Sequence, residues 1–88
     1  MAHIGEFQLD TKHKYKKLVD VVPNLELIDG TTYTLQARGL VAVQVSDKLP
    51  TSGGFIIKDL TLFTYKHETG FDLYIKACEE GSVINIAE

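Results

Sequence analysis

The feature of the sequence that most constrains the fold is a series of short segments rich in Val, Ile, Tyr, Phe and Thr, which begins at Thr32. Turn-forming residues separate these segments at intervals of about 8 to 12 residues, as in sandwiches and small barrels. Apolar and polar side chains alternate over residues 33–38 and again, after Gly39, over residues 41–46. A period of two is typical of half-buried strands, whose successive side chains point to opposite faces. The pattern therefore predicts antiparallel β-structure.

Five further segments have a composition that favours strands. They are residues 25–28, 55–58, 60–66, 71–78 and 82–87. Residues 47–54, DKLPTSGG, combine Pro, Ser and paired Gly, which predicts an exposed loop. The short step at Gly39 predicts a tight hairpin or a bulge between its flanking strands, because glycine reaches the positive φ that such turns require. The turn EEG predicts a hairpin between the last two strands.

The phase of the alternation predicts which side chains face the core. Within residues 71–78, Leu73, Ile75 and Ala77 share one face of the strand, so we expect them to be buried. The predicted core consists of Leu35, Val43, Val45, Ile57, Leu62, Leu73, Ile75 and Ile84 or Ile86. We therefore expect one all-β domain over residues 23–88, a small antiparallel β-sandwich or barrel of jelly-roll-like form.

The N-terminal part of the chain follows a different pattern. Tyr15, Leu18, Val19 and Val22 have the i, i+3, i+4, i+7 spacing of a helix. The cluster of β-branched valines in the same stretch equally favours a strand, so both alternatives stay open. We interpret residues 1–22 as an extended N-terminal arm or a first strand.

The arm interpretation predicts a partner interface. Phe7, Leu9 and Tyr15 have few apolar neighbours in sequence, so we expect them to need the surface of another protein. The lysines around Tyr15 would bind an acidic patch on that protein, and the arm would be ordered only in the assembly. The predicted interface residues are Phe7, Leu9, Lys12, Lys14, Tyr15, Lys16 and Lys17.

Length, charge and cysteine content exclude several classes of protein. With 88 residues the chain has room for one domain. The single cysteine, Cys78, cannot form an intrachain disulfide, which favours synthesis in the cytoplasm. The net charge is −3 and the nine basic residues are spread along the chain, so we expect no nucleic-acid partner. No apolar run reaches the roughly 18 to 20 residues of a membrane-spanning helix, so we expect no membrane contact.

The reactive side chains do not form the pattern of an active site. His3, His13 and His67 have no second histidine at the spacing of metal ligands. Cys78 is followed by two glutamates, whose charge opposes formation of a nucleophilic thiolate. We therefore expect no catalytic residue, no metal and no cofactor.

Four stretches of the chain form a recognisable set: YTLQARG at 33–39, VAVQVS at 41–46, PTSGGFII at 50–57 and LYIKACEEGSVINIAE at 73–88. Taken together, they resemble the small structural proteins of tailed bacteriophages. In that family a strand ending in a similar motif precedes a V-x-V strand, a loop with Pro and Gly leads to the next strand, and a short hairpin closes the chain. The chain departs from the family at Lys58-Asp59, where such proteins often carry a Pro-Gly-Glu turn.

The resemblance implies a non-enzymatic component of a bacteriophage virion, made in the bacterial host cytoplasm. It implies a multicopy capsid decoration or a head-, tail- or fibre-associated protein, with partners among capsid, portal, tail or fibre subunits and with association between copies of the chain. The alternative is a carbohydrate- or ligand-binding β-sandwich module, in which Tyr33 and Tyr74 would form a sugar-binding platform. The absence of Trp counts against this alternative.

Overall fold

A computed structural model describes residues 3–9, 14–22 and 25–88. Within these ranges the chain forms eight strands and one short helix. In chain order they are β1 His3–Gln8, β2 Lys16–Lys17, α1 Leu18–Val21, β3 Thr32–Arg38, β4 Val41–Ser46, β5 Phe55–Ile57, β6 Leu62–Lys66, β7 Asp72–Ala77 and β8 Val83–Ala87. The predicted all-β fold class is confirmed.

The strands form two four-stranded antiparallel sheets that share one core. The first sheet has the order β1-β8-β3-β6, and the second has the order β2-β7-β4-β5. Each connection between consecutive strands crosses from one sheet to the other, apart from the loop between β4 and β5. This strand order is that of a jelly roll, an eight-stranded double sheet.

Alternation along the strands places the core between the sheets. Tyr33, Leu35 and Ala37 of β3 are buried, and the residues between them are more exposed. Helix α1 adds Leu18, which has no exposed surface. The predicted burial is confirmed for Leu35, Val43, Ile57, Leu73, Ile75, Ile84 and Ile86.

Two residues of the predicted core are exposed, so the prediction is wrong for both. Val45 has the same phase as the buried Val43, but it lies near the end of β4 and remains 43% exposed. Leu62 is 64% exposed because it lies on the face of β6 that is turned away from the core, not on the predicted inner face. In β6, Phe63 and Tyr65 face the core instead.

No hairpin forms at either predicted turn. β3 and β4 belong to different sheets, as do β7 and β8, so the hairpin predicted at EEG is wrong, and so is the hairpin alternative at Gly39. The tight turns exist, since Gly39 and Gly81 have φ values of 92° and 79°, but each turn carries the chain across the sandwich. Buried Ser82 joins the two crossovers: its hydroxyl accepts a hydrogen bond from the N–H of Leu40 at 3.3 Å and donates to the carbonyl of Glu79 at 2.8 Å.

Residues 25–28 are irregular, contrary to the predicted strand. Leu25 and Leu27 pack against the core from this segment. The backbone N–H of Ile28 donates to the hydroxyl of Tyr33 at 2.8 Å. A side chain thus satisfies a backbone donor that a strand would have given to a neighbouring strand.

Candidate functional site

The described residues of the N-terminal segment, 3–9 and 14–22, are packed into the fold. β1 pairs with β8 along the edge of the first sheet. The sequence left two alternatives for residues 1–22, an extended arm or a first strand, and the pairing of β1 corresponds to the second. Leu9 is 3% exposed, and its N–H donates to the carbonyl of Ser82 at 2.8 Å. Phe7 is half-buried against the core. The premise that Leu9 lacks apolar partners within the chain is therefore wrong, because β8 and the core supply them.

Tyr15 packs on the outer face of the second sheet. Its ring contacts Ala42 and Tyr74, and the amino group of Lys76 lies 4.7 Å from the ring centre. The Tyr15 hydroxyl donates to the carbonyl of Gly53 in the loop after β4. Burial, and to a lesser extent the nearby Cys78, raises the pKa of Tyr15. Tyr15 thus attaches the 47–54 loop to the sheet, and the premise that it lacks partners within the chain is wrong.

The lysines of the predicted interface are exposed where the structure describes them. Lys16 and Lys17 form β2 at the edge of the second sheet, and Lys14 precedes them. The amino group of Lys17 lies 3.5 Å from a carboxylate oxygen of Asp72, a surface ion pair that contributes little stability. Lys12 lies outside the described residues. The binding role of these lysines stays a prediction.

A group of exposed apolar side chains lies where both sheets end, at β5 and β6. We call Phe55, Ile56, Leu60, Leu62 and Phe63 the β5–β6 rim. Its first four members are 69%, 56%, 60% and 64% exposed, and the ring of Phe55 lies 6.2 Å from that of Phe63. By strand alternation Ile56 lies on the outer face of the second sheet and Leu62 on the outer face of the first, so these side chains surround the edge from both sides. Large apolar side chains exposed around an open strand edge indicate a candidate interaction site.

The backbone of β6 is also open on this side. β6 pairs with β3 and has no neighbour on its other edge. At the end of the β3–β6 ladder, the N–H of Gly30 donates to the carbonyl of His67 at 2.8 Å, and the N–H of His67 donates to the carbonyl of Thr31 at 3.0 Å. Backbone groups of an antiparallel strand alternate between its two sides. Because the N–H and the carbonyl of His67 point toward β3, those of Leu62 and Thr64, which have the opposite parity, point away from β3 to the open edge.

Leu60, in the turn between β5 and β6, has an unusual backbone conformation. Its φ is 63°, and it is the one non-glycine residue with positive φ in the described part of the chain. The left-handed conformation costs an L-residue with a Cβ about 1 to 2 kcal/mol. The turn is held by its N–H, which donates to the carbonyl of Ala37 at 2.8 Å. A strained and exposed leucine is a candidate for function, and the strand predicted at residues 60–66 gave no signal of it.

A cleft of about 340 Å³ lies at the opposite end of β6. Its lining residues are Val45, Tyr65, Lys66, His67, Glu68 and Phe71. The hydroxyl of Tyr65 and Nδ1 of His67 are buried, and neither has a hydrogen-bond partner among the described residues. Burial is the main cause that raises the pKa of Tyr65, and Tyr33 and Asp72 add to it. The lining of the cleft thus combines apolar side chains with the exposed Lys66 and Glu68.

The described residues include no group of three or more His, Cys, Asp and Glu side chains placed to hold a metal ion. Cys78 is a half-buried free thiol. Tyr33 and Tyr74 are 1% and 4% exposed, so they do not present their rings to solvent as a sugar platform requires. None of the helices in ranges 3–9, 14–22 and 25–88 has the length and apolar character needed to cross a membrane.

Comparison of the chain with protein-family models, with curated proteins and with solved structures yields no match. Among the surfaces of the described residues, the β5–β6 rim combines the most exposed large apolar side chain, Phe55, with an open strand edge and backbone strain.

Proposed function

We propose that the chain is a non-enzymatic structural protein of a bacteriophage virion. It acts as a multicopy capsid decoration or as a head- or tail-associated component, and it binds virion proteins, either other subunits or further copies of itself, through the β5–β6 rim. The observation that carries this proposal is the concentration of exposed apolar side chains from Phe55 to Leu62 along one edge of the sandwich.

The rim is costly for a protein that stays alone in solution. Phe55 and Leu62 are exposed by 69% and 64%, and exposed apolar surface of this extent promotes association. Leu60 adds backbone strain that Gly or Asn at the same position would relieve. A covering partner would compensate for both costs, which supports a role in assembly.

The fold is compatible with this role without deciding it. Jelly rolls form viral capsid domains, and they also form lectin and cupin domains. Because the same fold serves such different functions, the jelly-roll topology supports a virion role only by analogy with capsid domains. The motifs of residues 33–88 that resemble phage structural proteins are the reason to prefer a virion among these settings.

The expected partners are capsid, portal, tail or fibre subunits. Apolar contacts at the rim would supply most of the affinity, since a few buried large side chains usually dominate an interface. The exposed lysines Lys14, Lys16 and Lys17 would add attraction to an acidic patch. This electrostatic part of the binding should weaken as salt is raised, because ions screen exposed charges.

The test measures binding of the purified chain to purified capsid, portal, tail and fibre subunits encoded by neighbouring genes. Phe55→Ser should weaken binding to one of these subunits at least about tenfold, because an exposed aromatic ring is a typical interface anchor. Leu49→Ser is the matched control, since Leu49 is 62% exposed but lies in the loop after β4, outside the rim. Failure of the unmodified chain to bind any subunit, or equal loss in both variants, contradicts the proposal.

The cleft beside Tyr65 favours a second candidate, a carbohydrate- or ligand-binding module. Its lining places the charged Lys66 and Glu68 beside apolar side chains, an arrangement that suits a small polar ligand. Glycan-array binding followed by calorimetry separates the two candidates. Binding of a glycan that Glu68→Gln abolishes and Phe55→Ser leaves unchanged would favour the module over the virion protein.

A further inference from the structure

We propose that the occupant of the rim is a second copy of the chain, which pairs its β6 antiparallel to β6 of the first copy with Thr64 on the twofold axis. The first sheets of the two copies then form one continuous eight-stranded sheet. This inference rests on the proposed function, because it uses the same rim and names the partner.

β6 is the least protected of the four edge strands in the described part of the chain. β1 has a register irregularity between His3 and Gly5, β2 is two residues long and consists of lysines, and β5 is three residues long. Irregularity, charge and shortness are the features that protect edges from pairing. β6 is five residues long, its register with β3 is regular, and its one charged residue is Lys66 at its end.

The backbone of β6 is complementary to itself. The backbone groups that point to the open edge belong to Leu62 and Thr64 and, by the same alternation, to Lys66. A twofold axis at Thr64 sets Leu62 opposite Lys66 of the second copy and sets Thr64 opposite its own equivalent. All five residues of the strand then lie opposite a residue of the second copy. The Leu62–Lys66 and Thr64–Thr64 pairs can exchange backbone hydrogen bonds, and Phe63 and Tyr65 form the non-hydrogen-bonded pair between them.

The side chains favour the same register. On the core-facing side, Phe63 lies opposite Tyr65 of the second copy, an aromatic cross-strand pair of the kind that stabilises sheets. On the outer side, the apolar stem of Lys66 covers Leu62 of the second copy. Moving the axis to Leu62 would set Lys58 opposite Lys66, and like charges directly opposed are unfavourable.

The contact between two β6 edges is small. It joins the five residues of each strand and covers Leu62 and Phe63, and the ring of Phe55 lies 6.2 Å from that of Phe63 at the same edge. Contacts at the low end of the size range of specific interfaces are typical of weak or transient association, so we expect a reversible dimer.

The first experiment is sedimentation velocity of the purified full chain over a concentration series, with variants of Thr64. Thr64→Pro removes a backbone donor that points to the open edge, and proline is tolerated at such positions. We expect it to weaken dimerisation at least about tenfold, because it removes both hydrogen bonds across the axis. Thr64→Val is the matched control: it too loses the 3.3 Å contact between the Thr34 and Thr64 hydroxyls, but it keeps the N–H and should dimerise like the unmodified chain.

The second experiment uses Leu60→Asn. Asparagine tolerates the left-handed conformation that Leu60 adopts, and it removes an apolar side chain from the rim. We expect the melting temperature of the monomer to stay the same or rise while dimerisation weakens. If Leu60 has only a structural role, the melting temperature falls and dimerisation of the folded fraction is unchanged, which contradicts the inference.

The outcomes separate this inference from the proposed function. A chain that stays monomeric at all accessible concentrations, or Thr64→Pro that dimerises normally, overturns the self-pairing. If such a monomer binds a virion subunit and loses that binding on Phe55→Ser, the proposed function stands and the occupant is a different protein. If the dimer forms as expected and no virion subunit binds, the self-pairing stands and the proposed function fails.

Discussion

Tyr65 is a buried phenol whose ionisation opposes folding. It is 9% exposed and lies between Tyr33 and Phe63, with ring centres 6.0 Å and 6.3 Å away. Burial raises its pKa above the ordinary value of 10.0, since the phenolate would lose its hydration inside the sandwich. The neutral form is the one that the folded state prefers. The stability that Tyr65 contributes is therefore complete below about pH 10, the pKa of an unfolded tyrosine, and is lost as the pH rises toward the higher folded pKa.

Tyr65→Phe should make the protein more resistant to alkaline unfolding. At pH 7 the free energy of unfolding should change by less than about 1 kcal/mol, because the hydroxyl has no partner to lose among the described residues. Above pH 10 the variant should gain on the unmodified chain by up to about 1.4 kcal/mol per pH unit. Urea unfolding at pH 7, 10 and 11 measures both values. A parallel loss of stability in both proteins would show that Tyr65 titrates normally.

Leu73→Ala should cost about 2 to 5 kcal/mol of unfolding free energy, because it leaves a cavity in the core. Leu73 is 1% exposed and lies opposite Val45 in the second sheet. Val45→Ala is the matched control and should cost less than about 1 kcal/mol, since Val45 is 43% exposed. Chemical denaturation measures both variants. Equal losses would mean that Val45 is covered in solution.

At the scale of elements, the N-terminal segment behaves as part of the sandwich. β1 completes the first sheet, β2 borders the second, and α1 places Leu18 in the core between them. Tyr15 joins this segment to the outer face of the second sheet and to the loop after β4. Burial of the Tyr15 ring by residues distant in sequence supplies stability that a free arm would lack.

Tyr15→Ala should lower the unfolding free energy by about 3 kcal/mol, because the ring is 6% exposed and its packing is lost. Tyr15→Phe isolates the hydrogen bond to Gly53 and should cost about 1 kcal/mol. The exposed neighbour provides the control: Lys14→Ala should stay within about 0.5 kcal/mol of the unmodified chain. If Tyr15→Ala leaves the thermal transition unchanged, the segment is detached in the free chain, as the arm interpretation requires.

At the scale of the whole molecule, the sheets are built from strands that are distant in sequence. β4 and β5 are the one pair of hydrogen-bonded neighbours that are also consecutive in the described chain. β1 pairs with β8, so the first and the last described strands are neighbours in the first sheet. Non-local pairs require long loops to close before contacts are gained, which slows folding.

We therefore predict refolding on a timescale of about milliseconds to seconds, as in other β-sandwiches, rather than microseconds. Stopped-flow dilution from urea, followed by tyrosine fluorescence, measures the rate. Leu49→Ala should leave the rate unchanged, because Leu49 is 62% exposed in a loop. Refolding within the dead time of mixing would indicate that the strands pair locally first, against the topology.

The candidate site was only partly accessible from the sequence. The segments around Phe55 and Leu62 are predicted as strands, but exposure of their apolar side chains depends on β5 and β6 being the edges of their sheets. Periodicity reports the face of a strand and carries no information on its neighbours. The strain at Leu60 likewise depends on the carbonyl of Ala37, which lies on another strand.

The sequence by itself determined which segments form strands from Thr32 onward and which face of β3 and β7 is buried. Both are local properties, because side chains alternate across a strand whatever its partner is. Only the tertiary structure decided that β3 and β4, and β7 and β8, cross the sandwich instead of forming hairpins. It also decided that Tyr15 finds its partners within the chain. Strand pairing and the packing of Tyr15 depend on contacts between residues far apart in sequence, which a local pattern does not encode.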